Sequence, residues 1–599
     1  MKKILHLLTR EQKRQLTALS VAMLATAVLN LGGVGSILPF VNLLTSPEVV
    51  AGDGIYAWAY NLLGFESFQS FALAFGFAVL ALLVLGNGFI LLTQWLITRR
   101  TWQLQCDLSS RLLAQYLAQP YTAHIQRNSA EYSRNILQET AQLAQGVVRP
   151  LLNLIAAALT VVALAGLLIW LNPMLAVLVA AVFVAAYTLI YLGLRPGLQR
   201  LGAERLDANG ERFRAVDEAF GSVREVKVLR KEDHFIERYV RAARRFASSM
   251  ADHQLLQQIP RYGIEALAFG SVVLVVLYLL RTPGGLAGAL PAISVFVVAA
   301  YRLLPAFQQI YQGVSTLRFN RAAVEAVWRD FQATPQAAHS TPESAPTEPL
   351  PYNTAIRLRN VSFSYPGAGA PALDRISLEI PRNQFVALAG ASGAGKTTLA
   401  DLLLGILPPE QGEIAIDEIV LDDHNRAGWQ ANLGYVPQDV YLADDTIAAN
   451  IAFGEPRESR DPERIRRAAR RAHVHHFIEQ ELPDGYETTV GERGVRLSGG
   501  QRQRIGIARA LYRDPAVLIL DEATNALDNA TETAVHEAIL QARHDRTVIV
   551  IAHRLETISD CDRIFVLEQG RLEATGTYEE LEKHSPEFQR LTKSRPAPP

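Results

Sequence analysis

The first half of the chain is built around long apolar stretches, and the second half around short ones. Six stretches in the first half each reach or exceed the roughly 20 residues that a helix needs to cross about 30 Å of hydrocarbon. They are residues 17–45, 68–98, 151–171, 174–194, 258–281 and 288–312. The pattern predicts an all-α domain of six membrane-spanning helices. The alternative, buried helices of a large soluble protein, fits poorly because stretches such as 151–171 offer water no polar face.

The basic residues between these stretches predict the side of the membrane that each connection faces. Segment 46–67 and the pair 172–173 contain no Lys or Arg. The connections 99–150 and 195–245 are rich in Arg, and cytoplasmic loops carry an excess of basic residues. Both are therefore predicted to lie in the cytoplasm. They contain few helix breakers, so the membrane helices should continue well beyond the bilayer.

One connection on the opposite side is aromatic. Tyr56, Trp58 and Tyr60 lie in segment 46–66. Aromatic rings settle at the membrane interface, so the pattern favours a short amphipathic helix lying there. A plain ordered loop is the alternative.

Two arginines stand out for their position. Arg302 lies about 21 Å inside the sixth stretch, counted at 1.5 Å per residue, and Arg261 follows Pro260 near the cytoplasmic end of the fifth. Intramembrane arginines are costly and usually face a cavity with a partner. The structural interpretation is snorkelling or an acidic partner, and the functional one is an anionic cargo such as a phosphate.

A proline-rich segment separates the two halves. Residues 333–352 contain five prolines and few bulky apolar residues, which is typical of a linker. Beyond it, short β-branched runs alternate with helical stretches, which predicts an α/β domain with a parallel sheet flanked by helices. The predicted division is 1–332 for the membrane domain, 353–590 for the α/β domain and 591–599 for a disordered tail.

Composition adds little to this picture. The net charge of -1 and the 49% hydrophobic content average two unlike halves of a 599-residue chain. The two cysteines, Cys106 and Cys561, exclude a disulfide scaffold or a cysteine zinc site and fit a reducing compartment. The basic N-terminus leads into an apolar run too long for a signal-peptide core, so the first span is expected to be kept.

A phosphate-binding loop follows the first predicted strand of the parallel sheet. "GASGAGKTT" follows the strand 385–389 and opens a helix, as the pattern G-x-x-x-x-G-K-[ST] requires. Backbone N–H groups there would hold phosphates, Lys396 would reach the β- and γ-phosphates, and Thr397 would bind Mg²⁺. The predicted ATP-binding residues are Gly390, Ser392, Gly393, Gly395, Lys396, Thr397 and Thr398.

Polar residues end other predicted strands. Asp521 and Glu522 follow the run 516–520, where Asp521 is predicted to bind Mg²⁺ and Glu522 to polarise the attacking water. Gln438, in "YVPQD", is predicted to sense Mg²⁺ and that water. His553, in "VIVIAH", is predicted to contact the γ-phosphate, although such a histidine is often structural. Tyr365 offers a face for adenine, or is an ordinary turn aromatic.

A second anion-binding segment lies about 100 residues after the first. "LSGGQ" begins a helix with Ser498, Gly499, Gly500 and Gln501. Two such segments need not serve one nucleotide within one chain. In a dimer, this segment of one copy would close over the ATP held by Lys396 of the other.

Taken together, these motifs resemble those of the ATP-binding-cassette (ABC) exporter half-transporters. "GASGAGKTT", "PQ", "LSGGQ", "VLILDEAT", "NALD" and His553 match that family's nucleotide-site motifs, and Asp528 belongs to the "NALD" match. The resemblance implies a homodimer or heterodimer with twelve spans and two ATP sites, with Mg²⁺ as cofactor. It also implies short coupling helices within 119–130 and 208–220.

A closer resemblance is to the PglK-type flippases of lipid-linked oligosaccharides. It rests on "LTREQK", "LPFVNLL", "ISVFVVAAYRLLPAFQQI" and "YVPQDVYLADDTIAANIAFG". It implies that Arg302 and Arg261 attract the pyrophosphate of a polyprenyl-linked glycan. A third basic position expected in the second span is missing, and Gly86 and Asn87 lie near it.

The resemblance therefore implies an ATP-driven flippase in the bacterial inner membrane, with its cassette in the cytoplasm and no nucleic-acid partner. The alternatives are an exporter of another glycolipid, lipid, peptide or drug, and a membrane ATPase with a regulatory role.

Overall fold

A computed structural model of the protein forms two compact units. It describes residues 2–45, 47–50, 54–171, 173–279, 303–333, 348–521, 537, 540, 543–552 and 558–593. Unit one comprises Met1–Gln119 and Arg127–His339, and unit two comprises Pro120–Gln126 and Ser340–Pro599. The main division falls inside the predicted linker.

Unit one is helical throughout its regular described structure. Its first helices are α1 (Lys2–Leu7), α2 (Arg10–Gly35), α3 (Ile37–Thr45), α4 (Ile55–Leu62) and α5 (Phe68–Leu117). The next helix in the chain, α6 (Tyr121–Ile125), belongs to unit two. Unit one continues with α7 (Ser129–Arg134), α8 (Thr140–Leu143), α9 (Arg149–Leu171), α10 (Pro173–Gly221), α11 (Val223–Leu229), α12 (Glu232–Leu279), α13 (303–319) and α14 (Arg321–Ala333). Two π-helical segments, Asn135–Glu139 and Ala144–Val148, flank α8.

The predicted spans fall on helices wherever the structure describes them. The first is divided between α2 and α3 at Ser36, and the next four lie on α5, α9, α10 and α12. The sixth is described only from residue 303 onward, on α13. By length and composition, three described segments are long and apolar enough to cross a membrane: Arg10–Gly33, Phe68–Leu117 and Ser129–Leu167.

Three helices run far beyond a bilayer's thickness, as the sequence predicts. Helices α5, α10 and α12 have 50, 49 and 48 residues, or about 70–75 Å each at 1.5 Å per residue. Arg245 on α12 contacts Asp207 and Glu211 on α10, both at 2.9 Å, and Arg238 contacts Glu218. The later residue of α12 contacts the earlier residues of α10, and the earlier residue of α12 contacts the later one. The two extensions therefore pack antiparallel.

The predicted coupling helices differ in outcome. The short helix α6 lies within 119–130, as predicted. The predicted short helix within 208–220 is wrong, because this stretch is the uninterrupted end of α10. The break comes at Ser222, and the short helix α11 follows it.

The aromatic segment 46–66 contains a helix, α4, rather than only a loop. Tyr56 and Tyr60 of α4 pack with Leu43 and Phe71. On the same helix Trp58 is 64% exposed. One face of the helix therefore packs against α3 and α5, and the other leaves large apolar side chains such as Trp58 exposed.

Unit two contains two sheets. Its strands are β1 (Ala355–Phe363), β2 (Leu373–Pro381), β3 (Phe385–Gly390), β4 (Gln411–Ile416), β5 (Ile419–Val420), β6 (Leu433–Val436), β7 (Val517–Asp521), β8 (Thr547–Ile551), β9 (Arg563–Glu568) and β10 (Arg571–Gly576). An antiparallel sheet has the order β2-β1-β4-β5, and the larger sheet has the order β10-β9-β3-β8-β7-β6. In the larger sheet, β9 through β6 are parallel, as predicted. The antiparallel sheet was not predicted.

The helices of unit two cover both faces of the larger sheet. They are α15 (Lys396–Leu403), α16 (Arg426–Gln430), α17 (Ile447–Ile451), α18 (Pro462–Arg471), α19 (His475–Gln480), α20 (Gly499–Tyr512), α21 (Tyr578–His584) and α22 (Pro586–Lys593). Helix α22 runs three residues past the predicted end of the domain, so 591–593 are helical. At the other end, Tyr352 is buried and packs on Trp429. The domain therefore begins inside the predicted linker.

Candidate functional site

The phosphate-binding loop joins the centre of the parallel sheet to helix α15. Gly390, at φ +152°, ends β3, and a Cβ there would meet the Leu567 carbonyl oxygen at 2.3 Å. Gly395, at φ +100°, precedes the helix in a left-handed conformation that favours glycine. Lys396 Nζ donates to the Gly390 and Ala391 carbonyl oxygens, each at 2.9 Å. The lysine charge is thus held at the loop itself.

The remaining loop residues differ in exposure. Ser392, Gly393 and Thr397 are exposed, whereas Thr398 is buried. The hydroxyl groups of Thr398 and Tyr365 lie 3.2 Å apart, so the structure brings Tyr365 against the loop helix. Its ring meets Phe363 edge-to-face, with centroids 5.1 Å apart.

Two predicted polar residues, Asp521 and Gln438, follow the neighbouring strands β7 and β6 at the same edge of the sheet. Asp521 ends β7 and is buried at 5% exposure. Register pairs Asp521 with Ile551 on β8 and Val436 on β6 with Leu520. Gln438 follows β6 two residues later and is exposed. Because carboxyl ends of parallel strands share an edge, Asp521, Gln438 and the loop after β3 lie along one side of the sheet.

This edge offers the oxygen donors that Mg²⁺ prefers. Thr397 presents an exposed hydroxyl, Gln438 an exposed carboxamide and Asp521 a buried carboxylate. Hard divalent cations take carboxylate, hydroxyl and carbonyl oxygens, so these residues fit the ion.

Sequence reasoning missed one acid of this region. Asp401 is five residues after Lys396 on α15, and i,i+4 from Thr397, so it shares a helix face with Thr397. Burial, and then the charge of Asp521, raise the pKa of Asp401 to about 6. The same causes, with Asp401 added, raise the pKa of Tyr435 on β6. The helical spacing was the signal that would have found Asp401.

The second anion-binding segment begins helix α20. Ser498 Oγ accepts from the Gln501 backbone N–H at 3.2 Å, and Gln501 Oε1 accepts from the Ser498 N–H at 2.8 Å. This reciprocal capping box uses the Gln501 side chain to shape the segment. Ser498 and Gly499 are exposed, and Gly500 is buried.

The two anion-binding segments belong to helices on opposite faces of the larger sheet. Leu399 and Leu402 of α15 pack with Val386 and Ile549. Ile505 of α20 and its neighbours pack with the alternate strand residues, such as Phe385 and Val548. Alternate residues of β3 and β8 face opposite sides of the sheet, so the Lys396 helix and the Ser498 helix lie on opposite faces.

The candidate cargo arginines are only partly described. Arg261 is exposed on α12, and its Nε donates to Glu265 Oε1 at 2.9 Å, one turn along the helix. Arg302 lies outside the described residues, as do Glu522, Asp528 and His553. Glu522 directly follows Asp521 at the end of β7, and His553 directly follows the buried Ala552, the residue after β8.

The comparisons with known proteins cover most of the chain. The ABC transporter family matches residues 373–525, and the ABC transporter transmembrane region matches residues 20–282. The ATP-dependent lipid A-core flippase of Thiobacillus denitrificans is 35% identical over 488 residues, covering 80% of this chain and 81% of that protein. The protein of the same name from Burkholderia orbicola is 32% identical, with 80% of each chain covered.

A solved structure agrees with these sequence relatives. A bacterial Atm1-family ABC exporter with ATP bound superposes with a TM-score of 0.75 and 26% identity, covering 98% of this chain and 99% of that one. The chain is an ABC exporter half-transporter. It is a membrane protein that couples ATP hydrolysis to transport, with the exporter fold that the sequence predicts.

The comparisons confirm the family prediction but not the closer resemblance to oligosaccharide flippases. Both sequence relatives carry the name lipid A-core flippase. The exporter half-transporter therefore has relatives that act on a glycolipid other than the one first expected.

Proposed function

We propose that this half-transporter is an ATP-driven flippase that moves a glycan-bearing lipid to the outer leaflet of the bacterial inner membrane. Two cargo classes are considered. The sequence resemblance favours a polyprenyl-pyrophosphate oligosaccharide, and the names of the relatives favour a lipid A-core type of glycolipid. Both join an apolar anchor to a sugar headgroup and a phosphate.

We further propose that two copies assemble around two ATP molecules. The observation that carries this proposal is the placement of α15 and α20 on opposite faces of one sheet. A nucleotide held by Lys396 on one face needs the Ser498–Gly500 segment of a second copy for its other side. The second copy is expected to be identical, because the chain keeps both "LSGGQ" and Glu522, although a heterodimer is the alternative.

In this proposal each residue of the site has a separate task. Lys396 and the loop N–H groups bind the phosphates, and Tyr365 supports the adenine side. Thr397, Asp521 and Gln438 would hold Mg²⁺, which neutralises charge on the phosphate oxygens. Glu522 and His553 orient the attacking water and the γ-phosphate.

Reconstituted vesicles test the cargo. Fluorescent lipid A-core glycolipid and fluorescent polyprenyl-pyrophosphate oligosaccharide would be placed in the leaflet on the cassette side of the vesicle membrane. Their ATP-dependent movement to the opposite leaflet would then be measured. Movement of one but not the other identifies the class. ATP hydrolysis without movement of either glycolipid would reject the proposed flippase and favour a regulatory ATPase or another cargo.

A further inference from the structure

A cavity of about 520 Å³ lies within unit one, between helices α2, α5, α9 and α13. This volume is in the range of small-molecule sites. Its lining includes the carboxamides Asn30, Asn87, Gln94 and Gln309. Three threonine hydroxyls, of Thr26, Thr93 and Thr160, join them. None of the lining residues in the described part of the chain is charged.

The cavity lies at membrane depth. Asn87 is 12 residues before Arg99 on α5, or about 18 Å along the helix. Asn30 is 16 residues beyond Arg14 on α2, or about 24 Å. Polar side chains at this depth are costly when they face lipid, so by default they face a cavity or a functional path.

Part of this polar lining is already paired. The Thr26 and Thr93 hydroxyls lie 2.8 Å apart, and Gln94 Nε2 donates to Asn153 Oδ1 at 3.4 Å. The carboxamides of Asn87 and Gln309 differ from these paired groups. Both are exposed, and neither makes a hydrogen bond to any described residue. An amide left this way in a membrane helix retains its full donor and acceptor capacity.

The carboxamides of the described lining suit a ligand that carries hydroxyl and amide groups. Carboxamides both donate and accept, which matches hydroxyl and amide groups. Phosphate is normally held by cations, and Arg261, the described candidate for that task, is paired with Glu265.

We propose that this cavity binds the uncharged, hydroxyl- and amide-bearing sugar of the cargo headgroup, with Asn87 as a specificity-determining residue. The inference rests on the proposed glycolipid transport, and it assigns recognition of the sugar to these carboxamides. The four helices that line the cavity all belong to unit one, so each copy would carry its own sugar site.

Two probes with the same alkyl chain separate sugar from phosphate recognition. Binding of radiolabelled dodecyl maltoside and dodecyl phosphate would be measured with the full-length protein in nanodiscs. Asn87→Leu should weaken maltoside binding about tenfold and leave phosphate binding unchanged. The matched control is Gly88→Ala, because a Cβ at Gly88 meets no atom within 4 Å. It should bind both probes as the unaltered protein does.

Three results would overturn the proposal: unchanged maltoside binding by Asn87→Leu, equal loss for both probes, or a changed dimer fraction that places Asn87 between copies. Thermal unfolding of each variant checks that it folds, and Asn87→Gln, which keeps the carboxamide, should retain most binding. Failure of the flippase proposal is distinguishable. The unaltered protein would then move no glycolipid in vesicles, whatever its maltoside binding.

Discussion

Asp401 and Asp521 show how a single buried charge bears on the nucleotide site. Asp401 is partly buried on the helix that begins with Lys396, and the carboxylate of Asp521 at the nearby strand end disfavours its ionisation. With a pKa of about 6, the folded state holds its proton well above the ordinary value of 3.8. Ionising Asp401 therefore costs stability.

The substitution Asp401→Asn should stabilise unit two in a pH-dependent way. The folded pKa is raised, so the unaltered protein loses stability as pH rises from about 4 to about 6, and the loss persists above that window. The rise of the Asp401 pKa from 3.8 to about 6 limits the gain in the free energy of unfolding to about 3 kcal/mol. Solvent screening of the partly exposed carboxyl group reduces this gain to about 1–2 kcal/mol. Thermal unfolding at about pH 4 and pH 7.5 measures it. An equal gain at both pH values would contradict the assignment.

Glu522 is the residue on which hydrolysis is predicted to depend. Glu522→Gln should lower ATP turnover about 10²–10⁴-fold and leave ATP binding intact, because it removes only the group that polarises water. Steady-state ATPase and nucleotide-binding assays check this. Glu418→Gln, whose side chain is 81% exposed on the antiparallel sheet, is the control. Normal turnover by Glu522→Gln would refute its role.

Sequence motifs pointed to the candidate nucleotide residues but not to their surroundings. The loop at Lys396 and the acid at Asp521 were found because their chemistry requires fixed residue types after a strand. Asp401 belongs to no motif, and only its helical spacing from Thr397 points to it. The raised pKa itself comes from burial and from the charge of Asp521, 120 positions away in the chain. Such effects depend on packing that local pattern does not contain.

At the scale of elements, four helices of unit one meet where α13 gives way to α14. Gly202 of α10 lies so close that a Cβ would be 1.9 Å from the Phe319 carbonyl oxygen. His253 of α12 stacks on the Phe319 ring at 3.8 Å, and burial lowers the pKa of His253 to about 4. Asn320 Nδ2 donates to the Gly146 carbonyl oxygen at 3.0 Å. This junction holds the helix that leads to the linker.

Gly202→Ala should loosen this junction. The added methyl group cannot fit without moving α10 away from Phe319. The free energy of unfolding is therefore expected to fall by about 1–3 kcal/mol, despite alanine's better helix propensity. Thermal unfolding of the full-length protein in detergent measures it. Gly197→Ala on the same helix is the matched control, because its Cβ would meet no atom within 4 Å. Equal unfolding temperatures for the two variants would show that the close approach does not matter.

The helices were easier to predict than their irregularities. Apolar length located the helices on which the predicted spans lie, and the absence of breakers predicted the extensions of α5, α10 and α12. The π-helical segments around α8 were not predicted. Neither was the buried pair between Arg205 and Glu139, 2.9 Å apart, since long-range contacts leave no periodic signal. The short helix predicted within 208–220 was misplaced, because α10 continues unbroken to Gly221.

At the scale of the whole molecule, the proposed function depends on a second copy. Each cassette carries one phosphate loop and one signature helix on opposite faces of its sheet, so neither face is a complete ATP site in the proposed arrangement. The sequence suggested pairing from two separated anion-binding segments. The placement of α15 and α20 on opposite faces of the sheet gives a physical reason for such pairing.

Complementation between two inactive variants tests this pairing most directly. Lys396→Ala removes the phosphate contact of one copy, and Ser498→Arg blocks the signature segment of the other. Mixed dimers, isolated through two different affinity tags, contain one complete site. Their ATPase activity should clearly exceed that of either variant alone. If mixed dimers are no more active than the two parent variants, or if either variant alone retains full activity, ATP is not shared between two copies.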